Sequence, residues 1–124
     1  MRRSISMGAL ALLVMLPGAA QAMTVDEFLA KAAALKAKGM GAMMSSDLGL
    51  LRGEVKAAGD SYRAEIDSAA AAGAKPRSCP PPKGQAKIDS NTLISSFQTI
   101  PAGKRGMSVK TAFYSFMDKR YPCP

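Results

Sequence analysis

An all-α fold, a small bundle of about four helices in one domain with one disulfide, follows from three observations on the 124-residue chain. Apolar residues recur at spacings of three and four along four segments, most of them opened by Ser, Thr or Asp and closed by Gly or Pro. No segment alternates apolar and polar residues as a half-buried strand does, and no Asn-Gly hairpin turn joins two such runs. The only two cysteines, Cys79 and Cys123, follow an export signal, and a pair of thiols in an oxidising compartment forms one structural disulfide.

The export signal occupies residues 1–22. "MRRSIS" is a positive n-region, "MGALALLVML" over 7–16 an apolar h-region, and "AAQA" over 19–22 a small-residue cleavage site ending at Ala22. The apolar run is too short to span a bilayer. The residues beside Arg2 and Arg3 fit twin-arginine export poorly, so the general secretory route is expected. The alternatives are a buried helix or a start of translation at Met23. Cleavage leaves residues 23–124 as one helical domain of 102 residues, in the periplasm or, alternatively, secreted. No cysteine follows the cleavage site to take a lipid, and no later segment is apolar enough to cross a membrane.

The four helices read in order as follows. "TVDE" at 24–27 is a capping box, and Val25, Phe28, Leu29, Ala32 and Leu35 share one face, so the first helix spans about 25–38 and ends at Gly39. Ser45 to Asp47 offer the next cap, and Leu48, Leu51, Val55, Ala58, Tyr62, Ile66 and Ala69 follow at helical spacing up to Gly73. A helix over 47–72 is about 39 Å long, which is long for so small a domain. It therefore kinks near Gly53 or Gly59, or packs part of its length on another subunit. Gly49, Gly53 and Ala57 lie four apart, which suits either an internal packing groove or a homodimer contact. Residues 73–87, "GAKPRSCPPPKGQAK", form a loop. Asp89 or Ser90 caps a third helix carrying Leu93, Ile94, Phe97 and Ile100, which Pro101 closes. "AGKRGM" is a turn. Ser108 caps the fourth helix, with Val109, Ala112, Phe113 and Phe116 inward and Lys110, Asp118 and Lys119 outward.

A disulfide between Cys79 and Cys123 staples the C-terminus onto the loop and stabilises the fold by about 4 kcal/mol on the chain-entropy view. Pro80, Pro81 and Pro82 stiffen one anchor, and Pro122 ends the last helix before the other. The rival is a reactive or metal-binding pair, but a nucleophilic thiol needs a base and the chain has no histidine.

Composition disfavours most chemistries. Without histidine there is no Ser-His-Asp, Cys-His or His-ligated metal site, and no Gly-rich phosphate cradle follows a strand. Asp26/Glu27 and Glu65/Asp67 read as helix-start and helix-surface charges rather than as an acid pair across a cleft. No enzyme and no cofactor are expected. Met40, Met43 and Met44 suit flexible core or contact surface, with Cu(I) held by thioethers as the alternative. Loss of the leader leaves 15 basic residues against 9 acidic, a net charge of +6. Residues 75–124 hold 9 basic and 2 acidic side chains, whereas residues 23–74 hold 6 and 7. Such a half suits an acidic protein, anionic lipid or cell-wall polymer, or is simply a solvated face. Export and the lack of interleaved aromatics disfavour nucleic acid.

The exported helical domain, "VDEFL" at 25–29, "CPP" at 79–81, "IP" at 100–101 and "YPC" at 121–123 together resemble the Tai and Rap group of immunity proteins from type VI secretion. That resemblance spans most of the mature chain and implies a helical homodimer with a disulfide between the positions of Cys79 and Cys123. It also implies a protein partner, a peptidoglycan amidase effector whose active site the protein occludes in the periplasm. On exposure alone, Lys83, Lys87, Lys104 and Arg105, on or beside the two loops, are the expected contacts. The competing expectations are a small periplasmic chaperone or stress protein, and an envelope-binding relative with no toxin partner.

Overall fold

The structure, a computed structural model, describes residues 22–124, and the expected leader lies outside them except for Ala22. Among the described residues the fold is all-α. α1 spans Val25–Lys38, α2 Ser46–Ala71, α3 Ser90–Gln98 and α4 Val109–Arg120, with 3-10 turns at Gly39–Met44 and Ala102–Lys104.

Side chains set each helix start. Thr24 Oγ1 accepts the Glu27 amide at 3.2 Å while Glu27 Oε2 accepts the Thr24 amide at 3.2 Å, the reciprocal pair of a capping box. Ser45 caps α2, Asp89 caps α3 through the Thr92 amide at 2.7 Å, and Ser108 caps α4. Of the two expected caps for α3, Asp89 is therefore the one used. α2 ends in a Schellman motif. The Ala74 and Gly73 amides reach the Ala69 and Ala70 carbonyls at 2.9 and 3.1 Å, and Gly73 takes a φ of +66° that disfavours a side chain.

α2 runs uninterrupted through Gly53 and Gly59. A Cβ on Gly49 or Gly53 would meet nothing within 4 Å, so the small-residue row faces outward and is not an internal packing groove.

The core gathers Val25 and Phe28 of α1, Leu51, Ala58 and Tyr62 of α2, Leu93 and Phe97 of α3, and the buried face of α4. Phe28 meets Phe97 edge to face at a centroid distance of 5.3 Å. α4 carries more of the core than its period implies, since Tyr114 and Met117 are buried as well. The starts of α1 and α4 are tied by an isolated antiparallel bridge, Thr24 to Ser108, with the Val25 amide on the Met107 carbonyl and the Val109 amide on the Met23 carbonyl, both at 2.9 Å. Met23, the first residue after the expected cleavage site, is accordingly buried.

The loop between α2 and α3 is a strap pinned along its length. Cys79 is bonded to Cys123, and the Cys79 amide donates to the Tyr121 carbonyl at 2.8 Å. Arg63 donates to the Pro81 carbonyl at 2.9 Å, and Ser78 is fully buried against the Tyr62 hydroxyl.

Candidate binding groove

α2 and α3 each pack on α1 and α4, yet have almost no contact with each other. The gap between them is an open apolar groove of about 580 Å³. Phe28 and Leu35 of α1, Leu51 of α2, Leu93 of α3 and Phe113 of α4 form its floor, and the half-buried Leu48, Val55, Ile88 and Ile94 form its walls. A volume of this size lies within the range of ligand-binding clefts, and such sites are mostly apolar with a few polar groups at the edge.

Arg52, Lys56, Asp89 and Ser90 supply that polar edge. The Asp89 carboxylate is turned to its own helix, and the Thr92 amide holds it below the usual carboxylate range. Lys56 is paired with Asp60 one turn on. Arg52 is exposed and makes no ion pair or hydrogen bond among the described residues.

At the Leu35 and Leu48 end of the groove, the chain passes through the 3-10 turn Gly39–Met44. There Met40, Met43 and Met44 are 90%, 70% and 91% exposed, and Leu50 nearby in sequence is 47% exposed. Exposure this high excludes a core role for the three methionines. Among the described residues no cluster of His, Cys, Asp and Glu is placed to hold a metal ion.

The expected contact residues fall into two places. Lys83 and Lys87 lie exposed on the strap, Lys83 beside a recess of about 180 Å³. Lys104 is exposed on the turn beyond α3. α3, about 14 Å long, lies between the two pairs in the chain. Arg105 is half-buried, and its guanidinium donates to the Gln98 and Ile100 carbonyls at 2.9 Å each, capping the C-terminus of α3.

Asp118, expected outward, is instead half-buried on the α2 side. It accepts from the Tyr62 hydroxyl at 2.8 Å and from Arg77 Nε and Nη2 at 3.0 and 2.8 Å, and Arg77 also reaches Glu65 at 3.2 Å. The Arg77 guanidinium lies 4.7 Å from the Tyr114 ring centroid and 5.6 Å from that of Tyr62. The Arg77 hydrogen bonds hold the Asp118 carboxyl below its ordinary range, while burial, aided by Asp118, pushes the Tyr62 phenol up to about 12. This network locks the strap onto α2 and α4, away from the groove. A signal for it exists in the sequence: a tyrosine on the inward face of α2 needs a hydrogen-bond partner, and Asp118 stands four residues after Tyr114, on the same side of α4.

Fold and groove together define a small, disulfide-stapled, all-α protein with an exposed apolar cleft. No family model matches the chain, and no curated protein or solved structure matches it either.

Proposed function

We propose that this protein is an exported binding protein, not an enzyme, and that it works in the periplasm by holding a protein partner. The observation that carries this reading is the apolar groove between α2 and α3, with exposed methionines at one end, on a scaffold closed by the Cys79–Cys123 disulfide. The motif resemblance makes the partner a peptidoglycan amidase effector whose active site is occluded, with a homodimer as the form in which relatives act. Lys83, Lys87 and Lys104 add basic contacts that steer an acidic partner. Arg105 serves α3 first and contacts a partner only at its outer edge.

The test uses the oxidised protein purified after export, as bait in periplasmic and secretion-apparatus extracts. One stoichiometric wall amidase, inhibited on binding, is the expected result. Joint charge reversal of Lys83, Lys87 and Lys104 then weakens that complex, and unchanged affinity removes the three from the contact surface. A second reading, a small periplasmic chaperone, is favoured by the three exposed methionines, which suit adaptable binding. It predicts many unfolded clients in the same experiment, none of them inhibited.

A further inference from the structure

The size of the groove, the charge on its edge and the surface beside it specify what it takes. Along α2 it runs from Leu48 to Gly59, about 17 Å at the standard rise, or three turns. A helix lying along such a groove presents apolar anchors at positions i, i+3 or i+4, and i+7 over that length.

The edge carries one cation without a partner. Asp47, at the start of α2, is held by Lys31 at 3.1 Å, Asp60 by Lys56, and Asp89 by the Thr92 amide, so each of these carboxylates is satisfied within the chain. Arg52, on the α2 edge, has no partner among the described residues, so a side chain of an occupant lying beside it pairs with it only if it is acidic. Asp89, on the α3 edge, keeps its charge and is held by a backbone amide. A free fatty acid would match the apolar walls and Arg52, but it would leave Met40, Met43 and Met44 uncovered. A helix entering past the Leu35 and Leu48 end covers them, and unbranched thioethers adapt to such a surface.

We infer that the groove receives an amphipathic helix of a protein partner, its apolar stripe packed over three turns between α2 and α3 and an acidic side chain beside the stripe paired with Arg52. The inference rests on the reading of the protein as a protein-binding module and names the element of the partner that docks.

Fluorescence anisotropy of a labelled, designed 15-residue peptide, with leucines at three-and-four spacing and one flanking Glu, tests it on the oxidised exported protein. Saturable binding is expected, with a scrambled peptide of the same composition at least about tenfold weaker. Arg52→Glu weakens the Glu peptide by about tenfold, one attraction lost and one repulsion gained, and a Lys version of the peptide recovers the loss. Ile94→Glu, on the groove wall, abolishes binding while the circular dichroism spectrum stays helical. Equal binding of the scrambled peptide, indifference to Arg52→Glu, or binding of decanoate without the peptide overturns the inference. If a wall amidase is inhibited equally by the native and Ile94→Glu proteins, the groove assignment fails and the immunity reading stands. If the peptide binds but no amidase is inhibited, the immunity reading alone fails.

Discussion

Tyr62 shows how much a single polar atom can fix in a small core. Its side chain is 1% exposed, and its hydroxyl joins Ser78 of the strap to Asp118 of α4. Tyr62→Phe keeps the ring contacts with Phe113 and Tyr114 but leaves buried Ser78 without its partner and Asp118 with one donor fewer, at about 1–3 kcal/mol. Denaturant unfolding of the two proteins at neutral pH measures the difference. Acid titration gives the network a second signature. The Asp118 carboxyl is depressed in the fold, so its contribution is present above the unfolded carboxyl value near about 3.9 and is lost as pH falls through the lower folded value. Asp118→Asn is therefore less stable than the native protein at pH about 7, and the gap in melting temperature closes toward pH about 2. A gap that stays constant with pH would assign the loss to packing instead. At the other end, Tyr62 is raised to about 12, so its stabilising effect is complete below the ordinary phenol value near about 10 and is lost as pH rises to about 12.

α2 is the longest element of the fold, and its two faces differ in kind. The inner face carries Leu51, Ala58 and Tyr62, whereas Gly49, Gly53 and Ala57 look outward with open space beside the two glycines. A glycine inside a helix that packs on nothing lowers stability with no structural return, so Gly53→Ala raises the stability of the isolated chain by about 0.5–1 kcal/mol. Thermal unfolding of the pair checks this. Sedimentation at several concentrations then asks whether the row serves a homodimer, since an added methyl there weakens self-association while the fold gains. α3 illustrates a different economy. With nine residues it is too short to persist alone, and it is held by Asp89 at one end, Arg105 at the other, and Leu93 and Phe97 in the core.

For the molecule as a whole, the disulfide is the largest single constraint. It closes a loop with a sequence separation of 44, and the Cys79→Ser, Cys123→Ser double variant is expected to lose about 4 kcal/mol of unfolding free energy. Equal denaturation midpoints for the native and double-variant proteins would show that the hydrogen bonds of the strap suffice without the covalent link. Helix caps and core faces were legible in the chain because they depend on local spacing: the capping box of Thr24 and Glu27, the stop at Gly73 and the inward row of α2 are read within a few residues. So were the absence of strands among the described residues and the pairing of the only two cysteines. The side on which Asp118 lies, the use of Arg105 as a cap for α3 and the outward aspect of Gly49 and Gly53 were not legible, because each depends on which helices become neighbours. The groove belongs to the same class. Its apolar residues look like ordinary core positions in the sequence, and only the packing of α2 and α3 on α1 and α4, and scarcely on each other, leaves them lining an open cleft. Sequence alone thus determined the helices, their ends and the covalent link, which rest on contacts between near neighbours or on the pairing of two unique thiols. The tertiary structure alone decided which apolar and charged side chains remain exposed, since that depends on distances between segments that no local pattern encodes.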